Sequence, residues 1–453
     1  MTIAASEYKR RRQRLMNLMA AGSIAVIPGA AQQFRNRDTE FLFRQDSDFY
    51  YLTGFSEPDA VLVLAPDRAH GEVILFCRER DARAELYNGE RVGPERAAEF
   101  LHVDDGFPIN DMEEILPGML EGRERIYITL GEYPELDNKL MHWVSAIRAR
   151  EAGGAVPPGE FHALKHLLHE QRLYKSAAEL RIMREAARIT SAAHERAMSR
   201  CRPGMTETQL EAELLHEFMS NGARSPAYPS IVGGGENACI LHYVDNAAAL
   251  RKSDLVLIDA GCEYQHYAAD VTRTFPVAGR FSKSQQALYE IVLEANRRGI
   301  QACRPGVGFN EPHRAAVEVL VDGLLDLKLL RGDPKEILET EAYREFCPHN
   351  TSHWLGGDVH DVGDYRVDGA WRELEPGMVL TVEPGIYIPY NVSTAHLAAR
   401  WRGVGIRVED DVAINASGHE VLTDAAKEVA DIHAIMAAGA KQSSSDLGQA
   451  RDR

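Results

Sequence analysis

Nowhere in this chain do about 18 apolar residues follow one another, the length a helix needs to cross a bilayer, so no membrane span is predicted. Positive charge is scarce as well: 51 Lys and Arg stand against 68 Asp and Glu, a formal charge of −17. An excess of that sign repels phosphate backbones and anionic headgroups, which argues against nucleic-acid and membrane partners. Cysteine is sparse and scattered, with Cys77, Cys201, Cys239, Cys262, Cys303 and Cys347 showing no CxxC spacing. Neither a disulfide framework nor a thiolate zinc site is expected, and the six read as reduced, mostly structural thiols. The opening MTIAASEYKRRRQRL places charge where a signal peptide carries its apolar stretch, so the expected location is the cytoplasm. A Gly-x-Ser-x-Gly elbow is missing, and the glycine-rich VGGGENA at 232–238 lacks the Lys-Ser/Thr ending of a phosphate loop. The one basic cluster, Lys9, Arg10, Arg11, Arg12 and Arg14, is interleaved with Tyr8, Leu15, Leu18 and Met19 at helical spacing and reads as the solvated face of a first amphipathic helix.

With 45% apolar residues over 453 positions, the chain can bury a sizeable core in more than one domain. From about residue 22 to 150, β-type runs (SIAVIPG, AVLVLAP, EVILFC, RIYITL) alternate with helical stretches such as 111–121, an α/β pattern. Gly153, Gly154, Pro157 and Pro158 mark a break, and a helix-rich link over 159–200 follows, with Ser176 and Glu179 at capping-box spacing. The boundaries expected are a first domain over 1–172, a second, α+β domain over 173–440, and a disordered tail over 441–453. The second domain carries a faint duplication. CRPG occurs at 201–204 and 303–306, each copy between two amphipathic helices, and each is followed by a histidine and an apolar strand ending in an acid: DLVLIDAG with Asp259 and GMVLTVEPG with Glu383.

Asp259 stands in the run Leu255, Val256, Leu257, Ile258, where an unpaired carboxylate carries a heavy desolvation cost. Asp270 follows across a turn-like GCEYQH and can face it across a hairpin; a buried Asp paired with Arg273, or a turn-capping acid, is the plain structural alternative. In GIRVEDDVAI, period-2 alternation puts Arg407 and Glu409 on one face and Ile406 and Val408 on the other. Carboxylates at Asp259, Asp270, Glu383 and Glu409, all in apolar surroundings, repel one another unless cations sit between them. His349, His353 and His360 in PHNTSHWLGGDVHDVGDY, with His242 in ACILHY, supply imidazole. Oxygen ligands with few imidazoles suit manganese, and also cobalt, iron or zinc.

LVLIDAG, AADVTRTFPV, SHWLGGDVHDVG, LTVEPGIYI and GIRVEDDV stand in an order and spacing that resembles the aminopeptidase P group of the pita-bread (creatinase/methionine aminopeptidase-like) metallopeptidases. The resemblance covers about 173–435 and, more loosely, the first domain through SDFYYLTGF. It implies a pita-bread second domain and two divalent ions, most often manganese, held by Asp259, Asp270, His353, Glu383 and Glu409, with Asp270 and Glu409 bridging. It implies hydrolysis of the bond before a proline at the second position of a peptide, by a hydroxide shared between the ions. Glu383 would move the proton; His242, His360 and Arg407 would assist the reaction or contact substrate, and His349 would bind it. Tyr365, Tyr387 and Trp354 are candidate pocket walls. Relatives are usually oligomeric, so a homodimer or homotetramer is implied, with the first domain supplying contacts and restricting the entrance; Tyr87 in ELYNGERVG resembles an aromatic offered to a neighbouring subunit. Asn350 replaces the family's usual glycine and Gly357 a larger apolar residue, departures that bear on loop shape and substrate range. An Xaa-Pro dipeptidase uses the same ligand set and is the alternative, which SHWLG disfavours. A methionine aminopeptidase has no use for so large a first domain, a creatinase-type enzyme lacks the ligands, and a non-catalytic binding protein on this scaffold has no reason to keep them.

Overall fold

The computed structural model describes residues 2–391 and 393–451. The chain divides into two compact units, Thr2–Arg172 and Leu173–Arg453.

In the first unit the predicted apolar runs form strands Ser23–Pro28, Val61–Leu64, Val73–Cys77 and Arg125–Ile128. Ile24, Val26, Val63, Ile74 and Phe76 pack on one face of the sheet, and Ala25, Ile27, Leu62, Leu64 and Leu75 on the other. Both faces are therefore covered, which is why these strands read as unbroken apolar runs. The sheet is mixed and gains two edge strands that the sequence pattern does not reveal, Asp105–Pro108 and Glu160–Ala163. DGFP and EFHA are at most half-buried and lack apolar alternation, so backbone pairing alone makes them strands; the second opens the stretch expected to be helix-rich.

The first helix, Ala5–Leu18, corrects the reading of the basic cluster. Arg11 and Arg12 are 6% and 1% exposed. Arg12 donates to the carbonyls of Leu52, Leu101 and His102 at 2.8, 2.9 and 2.8 Å, and Arg11 to that of Tyr51 at 3.0 Å. These carbonyls belong to the ends of helices Ser47–Thr53 and Pro94–Leu101, where no intrahelical donor reaches them. Burial lowers the Arg12 guanidinium to about 10, which leaves it charged at neutral pH.

In the second unit both capping boxes form, Ser176 with Glu179 and Thr206 with Gln209. Each CRPG closes a long helix, Ala177–Arg200 or Lys283–Ala302, and its glycine takes a left-handed φ, 91° at Gly204 and 81° at Gly306. The same two bonds follow in each half: Gly204 N–H to Leu250 O (2.9 Å) with Leu250 N–H to Met205 O (2.8 Å), and Gly306 N–H to Leu374 O (2.9 Å) with Leu374 N–H to Val307 O (2.7 Å). Each small ladder leads into a strand that delivers an acid, Leu255–Asp259 with Asp259 at its end or Val379–Val382 with Glu383 just after it. The strands form short antiparallel sheets: Ile231–Gly234, Leu255–Asp259 and Thr272–Pro276; Val379–Val382, Asp410–Asn415 and Gly418–Val421; and Gly385–Ile388 with Val404–Arg407. The last helix, Val429–Arg451, runs through most of the segment expected to be a disordered tail. Ile432 and Met436 anchor it in the core, and extending a helix already nucleated costs little. Residues 452 and 453, the end of that tail, lie outside the described residues. No helix among the described residues is long and apolar enough to cross a membrane. All six cysteines are free, and burial raises the thiol of each, five to about 12.

Candidate metal centre

Strand ends deliver the acids. Asp259 closes Leu255–Asp259 and faces Thr272 in register, so Asp270 lies just beyond the start of the partner strand. The intervening residues make their own hairpin, Cys262–Tyr264 with Tyr267–Ala268, with Gln265 and His266 at positive φ. Glu383 follows Val379–Val382, and its N–H donates to Thr351 O at 2.8 Å. His353 is hung on the same strand through its backbone, Thr381 N–H to His353 O at 3.0 Å. Glu409 sits between Val404–Arg407 and Asp410–Asn415, its N–H bonded to Thr272 O at 3.1 Å.

These side chains converge. His353 Nε2 lies 3.4 Å from Asp270 Oδ2 and 3.6 Å from Glu383 Oε1. Asp270, His353 and Glu409 each present a ligand atom within 4.8 Å of the others, the spacing of a shared ion. Asp270 and Glu409 are 5% and 2% exposed. Arg407 also contacts the acids: its guanidinium donates to Asp259, to Thr272 Oγ1 (3.0 Å) and to Tyr387 Oη (2.6 Å). Arg273, the other partner considered for Asp259 or Asp270, is instead paired with Asp410 at 2.7 Å. Arg407 and Glu409 do share a face, meeting at Thr272 Oγ1, which donates to Glu409 Oε2 at 2.6 Å.

Crowded acids titrate accordingly. Burial pushes Glu383 up to about 7, with His353 and Arg407 pulling the other way. Glu409 rises well above the usual range through burial and the charges of Asp270, Glu383 and Asp259. Burial works to lower His353, but the hydrogen bond to Asp270 and the charge of Glu383 lift it to about 9. A cluster whose carboxyls resist ionisation and whose imidazole holds a proton is short of positive charge. Hard oxygen donors with one imidazole fit divalent ions, which would supply it.

Of the other expected residues, His242, His349, His360 and Tyr365 line the same cavity as the acids, a space of about 1020 Å³. The His353 and His360 rings stand 4.3 Å apart. Burial lowers His360, and lowers His349 to about 4, with Arg407 adding to the effect. Tyr387 and Trp354 are corrections. Tyr387 is 3% exposed and sits behind the wall, its hydroxyl 2.8 Å from His349 Nε2; Trp354 is fully buried. Both lie on apolar strand or bridge positions where the core claims the ring.

Sequence reasoning missed Tyr228, Thr272, Asp411 and Glu207. Tyr228 donates to Asp259 Oδ1 at 2.6 Å and touches Asp270 Oδ1. Asp411 accepts the Asp270 N–H at 3.1 Å. Glu207, buried, gathers Gly234 N–H (2.7 Å), Asn237 Nδ2 (3.0 Å), Tyr243 Oη (2.9 Å) and Ala248 N–H (2.8 Å), which fixes the loop carrying His242. Its place as the first residue of a helix, just after the Thr206 cap, gave no hint of this role.

Buried acids and an imidazole meeting at strand ends of a duplicated antiparallel domain define a metalloenzyme. The sequence model of Metallopeptidase family M24 matches residues 181–416, and that of Aminopeptidase P, N-terminal domain, residues 8–127. Xaa-Pro aminopeptidase of Escherichia coli (strain K12) is 45% identical over 442 residues, 97% of this chain and 99% of its own. Aminopeptidase PepP of Pseudomonas aeruginosa superposes with a TM-score of 0.95 at 55% identity, covering 97% of this chain and 99% of that one. Aminopeptidase P of Escherichia coli with the inhibitor Pro-Leu gives a TM-score of 0.93 at 45% identity, covering 97% and 100%. The chain therefore belongs to metallopeptidase family M24 and, within it, to the aminopeptidase P group, whose N-terminal domain and pita-bread catalytic domain it carries.

Proposed function

We propose that this chain removes the N-terminal residue from peptides with proline at the second position, using two divalent ions held by Asp259, Asp270, His353, Glu383 and Glu409. The observation that carries the reading is the convergence of these donors in one cavity with too little positive charge of their own. Bound divalent ions would neutralise the acids and supply Lewis acidity at the scissile carbonyl. Manganese is the ion proposed; the Escherichia coli relative is also known in zinc-substituted form with product, so cobalt, iron and zinc stay within the range the donors accept.

The chain's own groups have separable tasks. The Glu383 carboxylate takes a proton from water and passes it to the departing proline nitrogen. His242 and His360, at the exposed side of the cavity, donate to the substrate carbonyl oxygen as charge develops there. Arg407 and His349 are tied together through Tyr387 and hold the substrate side of the acids. The Tyr365 ring offers an apolar wall to proline, whose nitrogen has no N–H to satisfy. Helix Ala82–Asn88, with Leu86 and Tyr87 80% and 76% exposed, supports assembly into a homodimer or homotetramer. The protein is proposed to act in the cytoplasm.

The test is hydrolysis of Xaa-Pro, Xaa-Pro-Yaa and Xaa-Ala-Yaa by metal-stripped protein with and without manganese. Manganese-dependent release of Xaa from Xaa-Pro-Yaa, with little from Xaa-Ala-Yaa, is expected. Cleavage confined to the dipeptide moves the activity to an Xaa-Pro dipeptidase, and no cleavage with any divalent ion leaves a non-catalytic protein.

A further inference from the structure

The two halves of the second unit share one more feature, and it is polar. His194 and Asn296 each stand seven residues ahead of a CRPG cysteine, Cys201 or Cys303, on helices Ala177–Arg200 and Lys283–Ala302. Both side chains are fully buried, on faces otherwise filled by Ile189, Ala193 and Ala197 in one helix and by Val292, Leu293 and Ile300 in the other. An imidazole or amide at a core position costs free energy unless its polar atoms are bonded. Here the bonds of both run to the same kind of place.

Asn296 Nδ2 donates to Val382 O at 2.9 Å and to Val408 O at 3.3 Å, the carbonyls directly ahead of Glu383 and Glu409. Lys427 Nζ donates to Asn296 Oδ1 at 2.9 Å, and since an ammonium can only donate, this fixes which way the amide faces. His194 Nε2 lies 3.0 Å from Ala260 O, the carbonyl directly after Asp259. A carbonyl only accepts, so Nε2 carries the hydrogen; burial lowers the ring to about 4, which leaves it neutral. In each half these carbonyls adjoin a backbone bond between the two strand ends that deliver acids. Ala260 N–H to Val271 O at 3.0 Å joins those of Asp259 and Asp270, and Val408 N–H to Pro384 O at 3.3 Å joins those of Glu383 and Glu409. Leucine would serve core packing at either place. Packing does not account for two polar side chains at one position of a duplicated helix, both bonded next to the acids.

We propose that His194 and Asn296 are positioning residues, one in each half, that pin the strand ends of Asp259 and Asp270 and those of Glu383 and Glu409 at the separation divalent ions require. This rests on the divalent-ion reading and adds to it which side chains behind the donors set their spacing. Each acts through the backbone beside an acid rather than on the carboxylate itself.

Manganese titration of metal-stripped, full-length protein, with bound metal counted, decides it across wild type, Asn296→Leu, His194→Leu and His194→Gln. Each leucine keeps the bulk and removes the donor, and should weaken manganese binding by roughly tenfold, the lower end of what support behind metal ligands contributes. Glutamine can place its Nε2 near that of histidine, so His194→Gln should restore most of the affinity. At saturating manganese, Asn296→Leu should lower kcat on Ala-Pro-Gly more than it raises KM, because it displaces Glu383 and Glu409. If a leucine variant does not fold, Asn296→Ser or His194→Asn takes its place with the same loss expected; each keeps a polar group but falls short of a carbonyl that the native side chain reaches. Folded variants that lose thermal stability yet bind manganese as wild type does overturn the proposal and leave the divalent-ion reading standing, as does a His194→Gln no better than His194→Leu. Wild-type protein that binds no manganese strikes the divalent-ion reading itself.

Discussion

Thr272 donates its hydroxyl to Glu409 at 2.6 Å while accepting from Arg407 Nε at 3.0 Å, so one buried side chain sets the angle of an acid and of the cation beside it. Valine has nearly the same shape but can do neither. Thr272→Val should keep the fold and lower kcat/KM on an Xaa-Pro-Yaa peptide by about tenfold or more, the worth of one to two charge-assisted hydrogen bonds. Unchanged kinetics would show that Glu409 is oriented by something else.

Tyr228 reaches both Asp259 and Asp270 with one hydroxyl. Outer partners of this kind set the orientation and basicity of the groups that meet a metal. Tyr228→Phe should weaken manganese binding by roughly 10- to 100-fold, read as the concentration giving half-maximal activity of stripped protein. An activation curve that overlays the wild-type curve would remove Tyr228 from the site.

Arg273 and Asp410 form an ion pair with no exposed side-chain surface, supported by Lys427 Nζ at 2.6 Å from Asp410. Removing the arginine leaves the buried acid with Lys427 as its cation and frees the carbonyls of Glu409 and Ala425 that Arg273 bonds, so Arg273→Met should cost about 3–5 kcal/mol and lower Tm by on the order of 5–10 °C. Adding Asp410→Leu should recover part of the loss. A double variant less stable than the single one would mean that packing, rather than the stranded charge, sets the cost.

Asp48, in the first unit, gives a pH signature of its own. Burial works to raise its carboxyl, but the hydrogen bond with His169 and the charge of Arg172, 2.5 Å away, outweigh it and hold it at about 2. A depressed carboxyl stabilises the fold above its unfolded value near 4, and that contribution fades as pH falls from about 4 to about 2. Asp48→Asn should therefore cost about 2 kcal/mol at pH 7, with the gap from wild type closing over that acid range. A gap that stays constant down to pH 2 would contradict the assignment.

Asp259, Glu383 and Glu409 were legible because an acid inside an apolar strand has no ordinary reason to be there, and period 2 alone put Arg407 beside Glu409. The four strands of the first unit were legible for the same kind of reason, being covered on both faces. Tyr228 and Thr272 were not legible: hydroxyl residues occur anywhere, and their roles arise only when separate segments meet. Arg12 was misread because charge was taken to imply solvent, whereas the open carbonyls of two helix ends offered it a buried place. Tyr387, on a strand, and Trp354, at an isolated bridge, are not walls because both rings turn into the core.

Asp259, Asp270, His353, Glu383 and Glu409 are proposed to hold two ions. Metal-stripped protein titrated with manganese, with bound metal counted and followed by electron paramagnetic resonance, tests it most directly. Two equivalents per chain with the signal of a coupled pair are expected, with loss of that coupling in Glu409→Ala. One equivalent with the spectrum of an isolated ion, or a coupled pair that survives Glu409→Ala, would contradict it.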